Sequence, residues 1–362
     1  MRVVAKIGTS SLTDANGMIE RAAIAKLCDE VAALRAEGHE VTVVSSGAVA
    51  AGVATLGLRR RPSDMQTLQA LAAVGQPRIM EAYDAELARH GLVAAQALLV
   101  PHDFVDRRQY LHARQTLLRL LELGCVPVIN ENDAIANDEI RYGDNDRLAA
   151  LVAHNLRAQL LVLLTDLDGL YTADPTTDPQ AILIERVVAD DPLLAIRAGT
   201  TRSGRGSGGM ASKLQAARIA SWSGVRTVIA RASRPDVLLD AARGETVGTS
   251  FDAHDRELPA RKLWIAFAAQ TNGTVVVDDG ARQALIGRAT SLLPAGVVAV
   301  EGAFGEGDAV EVRGRDGIVF ARGMVYIDAE QLRAVAGMHT RDLPEGVVHE
   351  VIHRDDLVLL PD

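Results

Sequence analysis

Apolar residues fall into short runs and helical stripes that alternate over the first 255 positions of the chain. Apolar runs at 2–7, 40–44, 92–100, 125–129, 159–164 and 225–230 predict buried strands. Between them, helices are expected over 20–37, 64–90, 106–123, 148–156, 190–197 and 235–242, with another carrying Lys213 and running to 223. In the first of these the apolar positions 24, 27, 28, 31 and 34 share one face, and Gly38 closes it. In the second, Gly75-Gln76-Pro77 predicts a break or kink. Strands alternating with helices predict an α/β fold, a three-layer αβα sandwich around a mostly parallel sheet. After Lys262 the pattern changes, and glycines recur among Val-rich runs at 274–278, 297–300, 309–312 and 318–325. That predicts a small β-rich domain. The expected division is an α/β domain over 1–255, a linker over 256–270 and the β-rich domain over 271–355.

Polar chemistry gathers where predicted strands end. Residues 2–7 run into Gly-Thr-Ser-Ser with Lys6 at the strand's end, and 40–44 run into Ser45-Ser46-Gly47-Ala48. Both are small-residue turns whose amides could hold a phosphate or carboxylate, although strand ends and helix caps use the same residues for geometry alone. The densest stretch is 130–146, which follows an apolar strand and contains Asn130, Glu131, Asp133, Asn145 and Asp146. Such density beside a core strand is costly unless the groups are paired or bind something. A fourth strand end opens onto Thr165-Asp166-Leu167-Asp168-Gly169-Leu170-Tyr171, and a glycine-rich run from 204 leads into the helix of Lys213.

Composition sharpens this. Of 38 basic residues only four are lysines, Lys6, Lys26, Lys213 and Lys262. The chain uses arginine wherever a generic cation suffices, so Lys6 and Lys213, both beside glycine turns, mark places that need a compact ammonium. A net charge of −9 and 3% aromatic content argue against non-specific nucleic-acid binding. Cys28 and Cys125 sit in apolar contexts without ligand spacing, Met1 leads straight into a strand-like run, and no apolar run approaches a membrane span. A cytoplasmic protein is the expectation.

Two motifs are misleading. Gly204 to Gly209 matches G-x-G-x-x-G, but no strand closely precedes it and no ribose-binding acid follows at the usual distance. His349-Glu350-Val351-Ile352-His353 matches a zinc-protease signature in strand-like surroundings. In a strand the two histidines stand roughly 13 Å apart and cannot share a metal. What remains is two lysines, glycine turns and a carboxylate–amide cluster, a combination suited to phosphoryl transfer. Two ammoniums about 4 Å apart repel by about 4 kcal/mol in a protein-like dielectric. A carboxylate between them offsets this, and Asp146 is the candidate.

The ordered set Lys-Ile-Gly-Thr-Ser, Ser-Ser-Gly-Ala, Pro-Val-Ile-Asn-Glu-Asn-Asp, Gly-Asp-Asn-Asp, Thr-Asp…Gly-Leu-Tyr-Thr-Ala-Asp-Pro and Gly-Gly-Met-x-x-Lys resembles the glutamate 5-kinases (γ-glutamyl kinases) of the amino acid kinase superfamily, with a C-terminal PUA domain. The resemblance covers nearly the whole chain. It implies ATP-dependent phosphorylation of the γ-carboxylate of L-glutamate, the first step of proline biosynthesis. It implies catalytic roles for Lys6, Lys213 and Asp146, and glutamate binding by Ser46, Asp133 and Asn145. It assigns ATP to Lys6, Thr165, Asp166, Ser207, Gly208, Gly209, Met210, Ala211, Ser212 and Lys213, with Mg2+ bridging ATP oxygens. Proline is expected as feedback inhibitor and a dimer or tetramer as assembly. The rivals are a sister kinase acting on aspartate, N-acetylglutamate or a nucleotide monophosphate, and an RNA-binding regulator. Residues 271–349 carry seven basic against eleven acidic residues, which disfavours the RNA reading.

Overall fold

A computed structural model describes residues 1–14, 17–104, 107–136, 145–189, 209–255, 258–268, 271–288, 290–344 and 348–360. The expected helix over 190–197, the glycines at 204–208 and positions 137–144 lie outside the described residues. The chain divides into two compact units, Met1–Glu257 and Leu258–Asp362.

The first unit runs in the order β1 (Arg2–Ile7), α1 (Thr9–Leu12), α2 (Arg21–Ala36), β2 (Glu40–Val44), α3 (Ala48–Thr55), α4 (Met65–Ala88), β3 (Ala94–Leu99) and α5 (Arg107–Glu122). It continues with β4 (Val126–Glu131), α6 (Asn145–Leu156), β5 (Leu160–Thr165), β6 (Arg186–Val187), α7 (Met210–Ser221), β7 (Arg226–Arg231), α8 (Val237–Arg243) and β8 (Gly248–Phe251). The strands form one sheet in the order β3-β4-β2-β1-β5-β7-β8-β6. All pairs are parallel except β7 with β8.

Alternation along β1 sorts its side chains between two covered faces. Val3, Ala5 and Ile7 join a core with Ile24, Leu27 and Val31 of α2 and with Ile79 and Tyr83 of α4. Val4 and Lys6 therefore point to the opposite face, where α6 packs on β1 and β5, and α7 on β7. The register pairs Lys6 with Val44 of β2 and with Leu163 of β5. The sheet order reverses at β1, and such a switch point opens a crevice at the carboxyl ends of its strands.

Three expectations are corrected. Residues 65–88 form a single helix through Pro77. Close packing of α3 holds it together, because a Cβ on Gly75 would lie 1.9 Å from the Ala48 carbonyl oxygen and one on Gly52 2.0 Å from that of Leu71. Tertiary contact there outweighs the missing proline N–H. The strand expected to end at 129 runs on through Asn130 and Glu131 in β4, and both are buried. The helix expected from 148 begins at Asn145, so Asn145 and Asp146 form its first turn.

The second unit contains a five-stranded sheet in the order β10-β9-β11-β12-β13, from β9 (Thr271–Val277), β10 (Val297–Gly302), β11 (Ala309–Arg313), β12 (Val319–Val325) and β13 (Ile352–Leu359). Helices over Asp279–Arg288 and Ala329–Val335 accompany it. Residues Ala260–Leu263 and Trp264–Ala268, in the stretch expected as a linker, are helical and pack on β12 and β13. No helix spans 349–353, since β13 begins at Ile352.

Candidate active site

The crevice is lined by residues that strand polarity carries to one edge. Lys6 comes from the end of β1, Ser46 from the turn after β2, Asn130 from the end of β4 and Thr165 from the end of β5. Asn145 and Asp146 come from the first turn of α6, and Lys213 from the first turn of α7. Gly47, with φ of 98°, makes the sharp entry into α3 that leaves Ser46 at the crevice.

At the centre, Asp146 has no exposed surface and bridges the two lysines, each 4% exposed. Lys6 Nζ lies 2.6 Å from its Oδ1 and Lys213 Nζ 3.0 Å from its Oδ2. Ser212 Oγ donates to the same Oδ2 at 2.7 Å. Burial pushes the Asp146 carboxyl up, but the Lys6 and Lys213 ammoniums, with the Ser212 hydrogen bond, hold it well below the usual carboxylate range. It is an anion at neutral pH, and its place near a helix N-terminus favours the same state. One carboxylate between two ammoniums leaves the cluster with a net positive charge, ready to receive an anion.

A chain of amides, buried at Gln76, Asn130 and Asn145 and ending at the exposed Gln96, leads away from this cluster. Gln76 Nε2 donates to Gln96 Oε1, Asn130 Nδ2 to Gln76 Oε1, and Asn145 Nδ2 both to Asn130 Oδ1 and to Ser46 Oγ, over 2.8–3.0 Å. Asn145 Oδ1 is buried and has no hydrogen-bond partner among the described residues. Tyr83, buried beneath, meets Ser45 Oγ at 3.1 Å and so supports the same turn. Sequence reading missed Gln76, Gln96 and Tyr83 as parts of this arrangement. The available signal was a glutamine set between Gly75 and Pro77 on an otherwise apolar helix stripe.

Asp133 follows β4 in a turn and is half-buried. Burial raises its carboxyl to about 6, with Arg61 pulling the other way. Thr165 Oγ1 donates to Asp166 Oδ1 at 3.0 Å beside the crevice. Gly209 caps α7, and Met210, Ala211 and Ser212 form its first turn. Ser207 and Gly208 lie outside the described residues. The structure thus joins Lys6, Asp146, Lys213 and Ser212 in one cluster, and Asn145 and Ser46 in the adjoining relay. Asp133 and Asp166 stand at the ends of their own strands, without a bond to either group among the described residues. His154 lies eight residues along α6 from Asp146, about 12 Å on the helical rise. Burial, then Arg157 and Arg114, lower it to about 4, so it is neutral.

The chain is similar to known proteins along its length. Residues 1–231 match the amino acid kinase family, and residues 273–347 match the PUA domain. The chain is 47% identical to the glutamate 5-kinase of Thermobifida fusca over 99% of its own length and 93% of that protein. It is also 47% identical to the glutamate 5-kinase of Methylibium petroleiphilum, over 99% of this chain and 97% of the other. Among solved structures, an isopentenyl phosphate kinase of T. acidophilum in a product complex superposes with a TM-score of 0.50 at 18% identity. It covers 69% of this chain and 100% of that one, and likeness at that level shows the fold alone. By sequence match along its whole length, the chain belongs to the glutamate 5-kinases of the amino acid kinase family.

Proposed function

We propose that this protein transfers the γ-phosphoryl group of ATP to the γ-carboxylate of L-glutamate, giving ADP and L-glutamyl 5-phosphate, the first step toward proline. The observation that carries the reading is the buried Lys6–Asp146–Lys213 bridge, set at the carboxyl ends of parallel strands. A glutamate carboxylate oxygen attacks the γ-phosphorus, its new P–O bond forms as the bond to the β,γ-bridging oxygen breaks, and ADP leaves. The nucleophile is already ionised at neutral pH, since a glutamate side chain has a pKa of about 4.3. No general base is required, in keeping with the distance and neutrality of His154.

Catalysis then rests on position and charge. Lys6 and Lys213 face the negative charge carried by the transferring group, and Asp146 keeps the two ammoniums together and aimed. Ser212 serves Asp146 through its 2.7 Å hydrogen bond in addition to standing on the nucleotide side. Thr165, Asp166 and the start of α7 from Gly209 receive ATP, the helix N-terminus offering free amides to phosphate. Ser207 and Gly208 belong to the same expectation. Asp133 and the buried Asn145 Oδ1 offer acceptors to the substrate ammonium, while the relay through Asn130 and Gln76 holds Asn145 in place.

A magnesium ion on the nucleotide would supply charge neutralisation for the phosphates, while the chain's own contribution is the Lys6–Asp146–Lys213 bridge and the start of α7. Phosphate oxygens and water are expected to be the ion's chief ligands. We further read the protein as a cytoplasmic homo-oligomer, dimer or tetramer, inhibited by proline. Proline carries the same ammonium and α-carboxylate and would compete beside Asp133.

The test is ADP release with glutamate present and absent, with hydroxylamine trapping of the acyl phosphate. Glutamate-dependent ADP and a hydroxamate are expected, and neither from aspartate, N-acetylglutamate or a nucleotide monophosphate. Lys213→Ala should lower kcat by at least a hundredfold with the fold retained. Near-normal turnover in that variant contradicts the role given to Lys213.

A further inference from the structure

The amide chain beside the crevice has a fixed direction, which phosphoryl transfer by itself does not require. Asn130 follows Val126 and Val128 on the face of β4 that joins the α4 core, so its side chain ends beneath Gln76. Its orientation is set from outside the amides. The main-chain N–H of Glu131 donates to Asn130 Oδ1 at 2.9 Å, and a main-chain N–H can only donate. That oxygen also accepts from Asn145 Nδ2 at 3.0 Å, which fills both its lone pairs and turns Asn130 Nδ2 toward α4. There Gln76 Oε1 accepts at 2.8 Å, and Gln76 Nε2 donates in turn to Gln96 Oε1 on β3. Gln76 is buried, and its Oε1 is the acceptor that Asn130 Nδ2 has among the described residues.

At its other end this direction decides what the crevice offers a ligand. Both protons of Asn145 Nδ2 are engaged, one by Asn130 Oδ1 and one by Ser46 Oγ at 3.0 Å. Asn145 Oδ1 is left buried with no hydrogen-bond partner among the described residues, and a buried acceptor in that state calls for a donor. Glutamate brings acceptors at both carboxylates and a donor only at its ammonium. Turned end for end, Asn145 would set an NH2 group against that ammonium instead. We propose that Gln76 is a positioning residue that fixes which end of the Asn145 amide faces the substrate. By completing the amide chain it holds Asn130, which keeps the Asn145 oxygen toward the crevice. The crevice thereby distinguishes α-amino acids from carboxylic acids that lack an ammonium. The inference rests on the glutamate kinase reading, and adds to it a residue on α4 outside every motif by which that reading was reached.

The test sets Gln76→Leu against Gln76→Glu by ADP release, because packing and polarity predict opposite orders. For a residue that only fills space, leucine suits the buried position and a carboxyl does not. For a residue that supplies an acceptor, a carboxyl serves in either protonation state, and the exposed Gln96 can turn its amide to suit. Gln76→Leu is expected to raise the glutamate KM roughly tenfold or more, with kcat within about threefold and the ATP KM unchanged. Gln76→Glu should recover most of that loss. Glutarate, which keeps both carboxylates and lacks the ammonium, serves as a competitor whose inhibition constant should be the same in wild type and Gln76→Leu. A glutamate KM within about twofold of wild type in Gln76→Leu overturns the proposal. So does a KM in Gln76→Glu equal to or above that of Gln76→Leu, or a glutarate constant that rises in step with the glutamate KM. Should Gln76→Leu fail to fold, as read by urea unfolding, a glutamate KM in Gln76→Glu within about threefold of wild type supports the proposal and a larger rise overturns it. Wild-type protein that releases no glutamate-dependent ADP refutes the kinase reading itself, an outcome distinct from all of these.

Discussion

A carboxylate buried between two ammoniums is tolerated only while all three charges stay together, because each alone would be stranded in a medium that solvates it poorly. Asp146→Asn leaves Lys6 and Lys213 facing each other without compensation. We expect it to lose about 3–5 kcal/mol of stability, read by urea unfolding, together with glutamate-dependent turnover. The folded carboxyl is held below its ordinary value, so its stabilising share is complete above about pH 4. It disappears only as acid titrates through the depressed value. The stability gap between wild type and Asp146→Asn should therefore be constant from about pH 5 to 8 and narrow only in stronger acid. Asp133 behaves in the opposite sense. Its carboxyl is raised to about 6, so its ionised form costs the empty protein stability above that pH. Asp133→Asn should gain about 1–3 kcal/mol near pH 7 without substrate and at the same time bind glutamate more weakly. In wild type the glutamate KM should rise as pH falls below about 6, and in Asp133→Asn that slope should be absent. A variant no more stable than wild type would show that burial does not hold the charge at a cost.

At the scale of elements, the site depends on how closely two helices meet. Gly75 and Gly52 let α4 and α3 approach until a single methyl group would overlap backbone. The same approach sets the Ser46–Gly47 turn and brings Gln76 beneath Asn130. Gly75→Ala should cost about 2–3 kcal/mol or more by overpacking. It should also raise the glutamate KM more than that for ATP, because the displaced elements carry the amino-acid side. Equal effects on both substrates would mean that the helix pair supports the fold without orienting the relay. This region was the least legible in the sequence. Gly75-Gln76-Pro77 predicts a break when local propensity alone is weighed. Only the partner helix shows that the glycine serves contact and that the glutamine belongs to the site. By contrast β1, β2 and β5 were legible almost to the residue, since strands buried on both faces must be continuously apolar.

At the scale of the whole molecule, the second unit has its own core, built from Val275, Val310, Val312, Leu332, Ile352 and their neighbours. The helical residues before β9 belong to it. Ile265 and Ala266 are buried, Arg261 pairs with Asp356, and Arg322 Nη1 donates to the Ala266 carbonyl at 3.0 Å. A fragment over 258–362 should fold cooperatively, while one beginning at 271 should unfold at markedly lower urea or not fold at all. Equal midpoints would show those contacts to be dispensable. The acidic balance of residues 271–349 further predicts no salt-sensitive RNA retention by the longer fragment.

What the sequence determined by itself was the alternation of strands and helices, the polarity of the strand ends and the scarcity of lysine, because these depend on local pattern and on chemistry that few residues can supply. It could pair Lys6, Asp146 and Lys213 only by inference, since nothing local links positions more than sixty residues apart. Their meeting was decided by the tertiary structure, which sets the face of β1 that bears Lys6 beneath the first turns of α6 and α7. The same holds for the amide relay. Its meaning lies in distances across packed elements, and such distances arise only when the chain has folded.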